Sequence, residues 1–483
     1  MKAHRMSKKE ILQHLTSFQQ NDLNTKGGKV WAYVYDSGLA ELDTIAMEAY
    51  KMFANHNGLD FSVFPSLLKM ENDIVGEIAS LFSDQSETLA GTFTSGGTES
   101  IILAVKAARD YARTHKPSIK SPEIILPETA HAAFHKAAHY LNIKTVVVQV
   151  DEEFKVDIEA VRNHITENTI MLVGSSVNYS HGVSDPIEKL SEIALKRNLW
   201  LHVDGCIGGF LMAYFKELGH EIPKFDFSLP GVSSLSVDLH KYAFAPKGAS
   251  VVLYRNKELR KYQFYTCTNW TGYPVINTTI QSTKSGGPLA ACWATLYYIG
   301  KEGYREIFEK MYQTKNRMLQ KFEEMDDLYV LGKPEASLIS FASKTIDIFQ
   351  LADAMRKKGW YIQVQPGNEK FEPTIHLTLT PVSENIADKF FEQLKGAISE
   401  VKKNPRISLI NKISPLLAGL KESELSVNPE TIQSLLQMVG INEAGMLPDE
   451  MADINELLHL LPSEISSEAF LYITNELFTI ETD

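Results

Sequence analysis

Between Thr88 and Arg255 the sequence alternates short β-branched runs with amphipathic stretches, and this alternation restricts the fold more than any other feature. It is typical of a mainly parallel sheet that helices cover on both faces. The predicted strands are Thr88–Thr94, Glu123–Leu126, Thr145–Val150, Ile170–Ser175, Leu199–Asp204, Leu235–Asp238 and Ser250–Tyr254. The predicted helices between them are Glu99–Thr114, Ala132–Leu141, Ile158–His164 and Ile187–Arg197. The pattern therefore predicts an α/β fold whose large domain is a seven-stranded, doubly wound sheet.

A smaller α+β domain is predicted after Gly286-Gly287, because 483 residues exceed the usual size of one compact core. The pattern there is helical from Leu289 to about Met325, followed by strands at Leu338–Phe341, Tyr361–Val364 and Thr374–Leu379 and a helix from Ser383. Beyond Lys421 there is no Lys or Arg, and acidic residues alternate with apolar ones at helical spacing. We divide the chain into a helical N-terminal segment (1–60), a large domain (61–300), a small domain (301–400) and an acidic helical tail (401–483).

Composition excludes several classes of protein. The formal net charge is −12 without any basic stripe, which argues against nucleic acid as the main ligand. The three cysteines are widely spaced and include no CxxC pair, so the sequence indicates neither a disulfide framework nor a metal site. We find no apolar leader and no membrane-spanning stretch, and we expect a cytoplasmic protein.

A glycine-rich turn, Thr94-Ser95-Gly96-Gly97-Thr98-Glu99-Ser100, joins the first predicted strand to the first predicted helix. Unpaired amides and hydroxyls at a helix start can hold a phosphate dianion, and the helix dipole adds to that attraction. Taken alone, such a turn is equally compatible with a purely structural role.

Two further residues emerge at strand ends, where open α/β sheets place ligand-contacting side chains. Asp204 ends its strand and can pair with a protonated ring nitrogen, although a lone strand-end Asp more often caps the next segment. Lys241 follows the next strand; a lysine amine forms a Schiff base only when unprotonated, and we expect burial to lower its pKa toward that state. A lysine picked at random is usually a solvated surface residue.

Together, the phosphate cradle (Ser95, Gly96, Gly97, Thr98), the aspartate and the lysine are what pyridoxal 5′-phosphate (PLP) requires of a protein. His131 opens a helix after another predicted strand and can stack on the cofactor ring, although an isolated histidine is more often a capping or core residue. The three groups in this order predict a PLP enzyme.

With these residues in hand, the chain resembles the PLP-dependent group II decarboxylase superfamily and, within it, the sphingosine phosphate lyase family. The resemblance runs from about Gly28 to Lys395. Its most specific block is Asp238-Leu239-His240-Lys241-Tyr242-Ala243-Phe244-Ala245-Pro246-Lys247-Gly248, whose Ala-Pro-Lys-Gly is missing from ordinary amino-acid decarboxylases. The resemblance implies a large domain of the aspartate aminotransferase type and a homodimer with shared active sites.

By position, the resemblance also implies roles for individual residues. Lys241 is the imine lysine, Asp204 the ring-nitrogen partner, His131 the stacking residue and His240 a contact of the cofactor phosphate. The other positions implied are Asn178 near the ring, Thr283 as a phosphate ligand supplied to the neighbouring subunit, Tyr35 and Asn57 along the substrate channel, and Lys247 as a second lysine near the substrate.

Departures from the family pattern concern the substrate more than the cofactor. Asp60 stands where the family has an active-site histidine, Lys284 where it has Arg, and Trp31 where it has small residues, so that we expect Trp31 to reshape the substrate entry. The resemblance implies a PLP-dependent carbon–carbon lyase that cleaves a phosphorylated sphingoid base into a fatty aldehyde and phosphoethanolamine by retro-aldol chemistry. An α-decarboxylase of an amino acid and a catalytically silent scaffold of the same fold remain alternatives.

Overall fold

The computed structural model describes residues 5–409, 429–441 and 448–478. Its largest sheet has seven strands in the order β1-β7-β6-β5-β4-β2-β3. These strands are β1 (Ala90–Thr94), β2 (Glu123–Pro127), β3 (Lys144–Val148), β4 (Thr169–Ser175), β5 (Trp200–Asp204), β6 (Val232–Val237) and β7 (Ser250–Tyr254). Only β7, paired with β1 and β6, runs antiparallel among them, which confirms the predicted mainly parallel sheet.

Two apolar cores, one on each face of the sheet, take alternate residues of strand β7. Val251 and Leu253 of β7 belong to one core, whereas Val252 and Tyr254 belong to the other. This two-residue period is the geometry of a pleated strand, and burial of both faces explains the continuous apolar runs in the sequence. The sheet is thus covered on both sides, as a doubly wound fold requires.

The helices around this sheet agree with the predicted ones within two residues. They are α1 (Lys8–Phe18), α2 (Leu42–Phe53), α3 (Pro65–Ser80), α4 (Gly97–His115), α5 (Ala133–Leu141), α6 (Ile158–His164), α7 (Ile187–Arg197), α8 (Gly209–Glu217) and α9 (Lys257–Arg260). Helices α1 and α2 lie in the N-terminal segment that was predicted to be helical without bounds, whereas α3, α8 and α9 were not predicted. A hairpin of β8 (Tyr265–Cys267) and β9 (Val275–Asn277) was also missed. Helix α10 (Gly286–Glu323) bends at Gly300, whose φ of 61° is in the left-handed region that glycine tolerates.

A second, four-stranded antiparallel sheet has the order β10-β11-β13-β12. It comprises β10 (Tyr329–Val330), β11 (Leu338–Ala342), β12 (Gln363–Gln365) and β13 (Thr374–Thr378), with α11 (Ile348–Lys357) and α12 (Ser383–Lys403). The acidic tail contributes α13 (Pro429–Met438), α14 (Ala452–Leu460) and α15 (Ser463–Leu477), which have a small apolar core of their own. The smaller α+β lobe is thereby confirmed, and in its described part the tail is helical as expected; the domain boundaries at 60, 300 and 400 stay predictions.

Trp31 corrects one expectation. It does not open onto a substrate entry: its side chain is buried, stacks on Phe390 at 4.3 Å between ring centroids, and joins the core of the small lobe. The chain around it pairs with the small lobe, because Val30 bridges to Tyr361. The larger side chain fills an interior position, which the local sequence alone does not reveal.

In the described ranges, none of the helices combines the length and apolarity that crossing a bilayer would need.

Candidate active site

The glycine-rich turn and the predicted site residues His131, Asp204, His240 and Lys241 meet at the carboxyl edge of the large sheet. A cavity of about 380 Å³ there is lined by Ser95, Gly96, Gly97, Thr98, Glu99, Ile101, His131, Ser175, Val177, Tyr179, Asp204, Cys206, Ile207, Asp238, His240 and Lys241. Its size falls within the range of small-molecule and cofactor sites. The phosphate cradle, the aspartate at the end of β5 and the lysine therefore share one cavity.

The glycine-rich turn lies between β1 and the first turn of α4. Among the described residues, no side chain caps the start of this helix, so its first amides are directed at the cavity. Gly97 has to be glycine, because a Cβ there would lie 2.7 Å from both carboxylate oxygens of Asp238. The turn is thus packed tightly against the segment that carries Lys241.

The side chain of Glu99 fixes the glycine-rich turn by hydrogen bonds. Its Oε2 accepts a hydrogen bond from the Ser95 amide at 2.7 Å, and its Oε1 accepts one from the Ile280 amide at 2.9 Å. The same side chain therefore ties the turn to the loop that leads to Thr283. Hydrogen bonds to an ionised carboxylate are the stronger kind, so this connection is a firm one.

Asp204 is the last residue of β5 and lies in register with Ser175 of β4 and Ser236 of β6. Its Oδ1 accepts a hydrogen bond from the Cys206 amide at 3.0 Å, which fixes the orientation of the carboxylate at the cavity wall. An aspartate held at the end of a central strand has the charge and the position to pair with a protonated ring nitrogen.

Lys241 follows β6, and its Nζ lies 3.0 Å from Oδ2 of Asp238. Burial pushes the pKa of Lys241 down, but the Asp238 carboxylate outweighs burial and leaves the pKa of Lys241 above its ordinary value. Conversely, burial opposes ionisation of Asp238, but Lys241 and His240 hold its pKa below the ordinary value. The expectation that burial lowers the pKa of Lys241 is wrong in its net direction, because the sequence does not show the ion pair.

The two histidines occupy the walls beside these groups. Nδ1 of His131 accepts a hydrogen bond from the Ala133 amide at 3.1 Å, so the ring is held at the start of α5 while lining the cavity. Nδ1 of His240 likewise accepts from the Ala249 amide at 3.3 Å. A Cβ on Gly96 would lie 3.4 Å from Cε1 of His240, which places this ring next to the glycine-rich turn, as a phosphate contact requires.

Lys247 and Tyr35 lie together next to the cavity. Nζ of Lys247 is 4.8 Å from the centroid of the Tyr35 ring, a cation–π distance. Burial and the Lys241 cation both lower the pKa of Lys247. Burial raises the pKa of Tyr35, whereas Lys241 acts in the opposite direction. Both side chains therefore interact electrostatically with Lys241, although neither lines the cavity itself.

Other predicted site residues are placed elsewhere. Asn178 is buried and its amide side chain is engaged: Nδ2 donates to the Phe154 carbonyl at 3.1 Å and Oδ1 accepts from the His181 amide at 2.9 Å. Asp60 is exposed and accepts hydrogen bonds from the amide and hydroxyl of Ser62. The structure does not bring either side chain into the cavity, and their ligand contacts stay predictions.

Asn57 and Thr283 belong to two segments that pair with each other outside the cavity. Asn57 forms a β-bridge with Ser285, and Thr283 is exposed. Lys284, between Thr283 and Ser285 in the chain, is buried, and its Nζ donates hydrogen bonds to both carboxylate oxygens of Glu71 at 2.8 Å. The lysine that replaces the family's arginine therefore has a structural partner in this chain.

Asp238 and Tyr179 are among the residues that line the cavity and that sequence reasoning missed. Asp238 stands three residues before Lys241 within the quoted motif, and that spacing was the available signal. Tyr179 follows β4 by four residues, so the strand-end rule that identified Asp204 applies to it as well. Its hydroxyl donates to Oε1 of Gln363 at 2.5 Å and its ring stacks on His376, both in the small lobe. Tyr179 thus connects the cavity to the second sheet.

The donor set fits PLP. A phosphate would be held by the turn at the start of α4 beside His240, a pyridine ring would lie between His131 and Asp204, and the aldehyde would be within reach of Lys241. Gly97 and the 380 Å³ cavity provide the space for such a group. Each of the polar groups that PLP needs is therefore present at one edge of the sheet.

Comparison with known proteins agrees with this fit. Residues 25–344 match the pyridoxal-dependent decarboxylase conserved domain, and residues 412–475 match a C-terminal putative HTH domain of pyridoxal-dependent enzymes. The chain is 41% identical to a sphingosine-1-phosphate lyase of Arabidopsis thaliana over 82% of this chain and 73% of that protein. It is 39% identical to sphingosine-1-phosphate lyase 1 of Rattus norvegicus over 83% of this chain and 70% of that protein.

Among solved structures, the sphingosine-1-phosphate lyase of Burkholderia pseudomallei is similar with a TM-score of 0.79 at 32% identity, covering 88% of this chain and 97% of that one. A glutamate decarboxylase of Lactobacillus brevis, at 22% identity and a TM-score of 0.73, shows the same fold. The cofactor of this chain is PLP, and the chain belongs to the pyridoxal-dependent decarboxylase family, on the branch of the sphingosine-1-phosphate lyases.

Proposed function

We propose that this protein is a PLP-dependent aldehyde-lyase that cleaves a phosphorylated sphingoid base into a long-chain aldehyde and phosphoethanolamine. The observation that carries the proposal is one cavity that joins Lys241, Asp204 and the glycine-rich turn in a chain similar to sphingosine-1-phosphate lyases. In this reaction the C2–C3 bond of the substrate breaks, the C3 hydroxyl loses its proton, and C2 gains one.

The chain's residues divide this work between them. Bound PLP supplies an electron sink for the pair of electrons that the breaking bond leaves on C2. Asp204, as an anion, holds a proton at the ring nitrogen, and the turn at the start of α4 binds the cofactor phosphate. Lys241 would anchor the aldehyde, and the Asp238 carboxylate, 3.0 Å away, stabilises the protonated form of its amine.

The experiment that tests this function is product analysis. The holoenzyme, incubated with phosphorylated long-chain bases and separately with the common amino acids, should yield aldehyde and phosphoethanolamine from the bases by mass spectrometry. Faster release of carbon dioxide from any amino acid would overturn the lyase and favour the decarboxylase alternative. No turnover of either substrate by a cofactor-loaded protein would favour the silent scaffold.

Lys247 is the proposed partner of the substrate phosphate. A dianion taken into a water-poor pocket needs a fixed cation, and Asp60 cannot supply the charge that a histidine would. We expect Lys247→Ala to lower kcat/KM on a phosphorylated base by at least about tenfold, roughly 1.4 kcal/mol. The absorbance of the bound cofactor should stay unchanged, because Lys247 does not line its cavity. An unchanged kcat/KM would remove Lys247 from the substrate site.

We also propose that the active unit is a homodimer. Thr283 is exposed next to the Asn57 segment, and the neighbouring helices α2 and α3 both pack on α10. These helices and the residues just before α3 carry exposed large apolar side chains: Met47, Tyr50, Met52, Val63, Leu68, Tyr297 and Tyr298. A clustered apolar surface of this kind is typical of an interface. It supports a second subunit at the place where the family resemblance assigns Thr283 to a neighbour's site.

Sharing of sites predicts complementation between two inactive variants. If the Thr283 segment completes the neighbour's cavity, a mixed dimer of Lys241→Ala and Thr283→Asp has one intact site. Partial activity should return on mixing, up to about one quarter of the wild-type value for random exchange. The measurement is activity after subunit exchange, which mass spectrometry of differently tagged subunits verifies. Verified exchange without any recovery would count against shared sites.

A further inference from the structure

Helix α1 displays an apolar stripe that packs against nothing in the described chain. Ile11, Leu12, Leu15 and Phe18 lie on one side at helical spacing, and their exposure ranges from 46% to 74%. No residue of this helix is buried, yet Ser7 and Glu10 form a complete capping box at its start. An isolated helix of 11 residues is only marginally stable in water. We therefore expect this capped helix to pack on another surface.

Helix α15 displays a second unpaired stripe at the other end of the chain. Its Ile465 and Ala469 face the small core of the tail. Phe470, Leu471 and Leu477 are outside that core and exposed, as is Phe478 directly after the helix, with exposures of 52% to 86%. A helix with apolar residues on two sides can pack between two partners. In the described chain only one of these sides of α15 is covered.

The two helices carry opposite charge. Residues 1–29 contain six Lys and Arg against two acidic residues, whereas residues 422–483 contain thirteen acidic residues and no Lys or Arg. Lys8 lies on the same side of α1 as Leu12 and Leu15, four and seven residues on. Glu464 stands in the same relation to Glu468 and Leu471 on α15. Each apolar stripe is therefore flanked by charge that complements the other.

The tail matches a putative helix-turn-helix (HTH) domain, and domains of this kind commonly bind nucleic acid. The charge of the tail argues against that ligand. Proteins that bind nucleic acid neutralise backbone phosphates with Lys and Arg, and the tail has neither type after Lys421. An acidic unit with an outer apolar stripe instead fits a basic amphipathic helix, which is helix-in-groove recognition. The chain itself provides such a helix at its other end.

We propose that α1 of one copy docks on the outer face of α15 of a second copy. The apolar stripes pack against each other, and Lys8 approaches Glu464 and Glu468. This role for the tail does not depend on the proposed lyase activity, because none of these residues lines the cavity.

Disulfide trapping tests the contact in the full-length holoenzyme. Leu15→Cys and Leu471→Cys are made in separate, differently tagged chains, both with Cys267→Ser, since the other two cysteines are buried. After coexpression, only contacts between copies can join the two tags, and mild oxidation should yield that covalent heterodimer. Gln13→Cys, on the opposite side of α1, is the matched control and should crosslink much less. Equal yields from both positions, or no crosslink between the two tags, would overturn the proposal.

Charge reversal separates this partner from others. Lys8→Glu should reduce the rate of crosslinking about two- to fivefold, the usual range for an exposed ion pair, and Glu464→Lys in the other chain should restore it. Lys395→Glu, the same change on the surface of α12, should have no effect. Loss of crosslinking without rescue would contradict the pairing. Binding of the crosslink-negative protein to anionic lipid vesicles through α1 would assign the helix to a membrane surface instead.

Discussion

Replacing Lys241 with alanine should reduce the lyase activity by at least about a thousandfold, a loss of roughly 4 kcal/mol in transition-state stabilisation. The amine is the only one that lines the cavity in the described chain, so its loss removes both the covalent anchor of the cofactor and the group paired with Asp238. Borohydride reduction of the wild-type holoenzyme followed by peptide mapping should find PLP on Lys241. The alanine variant should show no reduced adduct.

A second variant guards against a folding defect. Removing Lys241 leaves the buried Asp238 carboxylate without its nearest cation, which can itself destabilise the protein by several kcal/mol. Lys241→Arg keeps a cation beside Asp238, but a guanidinium stays protonated and cannot form the covalent linkage. It should therefore melt near the wild-type temperature and still lack adduct and activity. A reduced adduct on any other lysine would disprove the assignment.

The strands of the large sheet could be predicted because burial on both faces produces unmistakable β-branched runs. The prediction failed where burial is polar. Strand β6 begins at Val232, three residues before its predicted start, because Ser233 and Ser234 lie inside the sheet. Ser234 can be buried there since its hydroxyl accepts a hydrogen bond from Nε1 of Trp200 at 2.8 Å. Such a pairing joins distant residues and leaves no local pattern.

The candidate site could also be predicted only in part, namely where its features are local in the sequence. Strand ends and a glycine-rich turn are local features. They identified Asp204, Lys241 and the turn, which the structure places in one cavity. What the sequence did not reveal depends on contacts between distant segments: the burial of Trp31 against the small lobe, the amide of Asn178 engaged by Phe154, and the link from Tyr179 to Gln363. The pKa of Lys241 belongs to this group, because its direction depends on how closely Asp238 approaches.

The second large effect is expected for Asp204→Asn. The amide has nearly the shape of the carboxylate and can still accept the hydrogen bond from Cys206 through its oxygen, so the wall of the cavity should keep its form. The negative charge is lost, and with it the means of holding a proton on the ring nitrogen while electrons are released from the breaking bond. We expect kcat to fall by at least about a hundredfold, roughly 2.7 kcal/mol, with a smaller change in KM.

Two measurements distinguish this electronic role from a structural one. Cofactor content and the adduct on Lys241 should be retained in Asp204→Asn, because the turn at the start of α4 and Lys241 hold the cofactor independently of this side chain. Asp157→Asn is the matched control: Asp157 caps α6 by accepting from the amides of Glu159 and Ala160, a task that asparagine performs equally well, so activity should be unchanged. If Asp204→Asn loses the cofactor in proportion to its activity, Asp204 is a binding residue only. If it keeps full kcat, another group must hold the ring proton, and the charge at the end of β5 is not what makes this cavity catalytic.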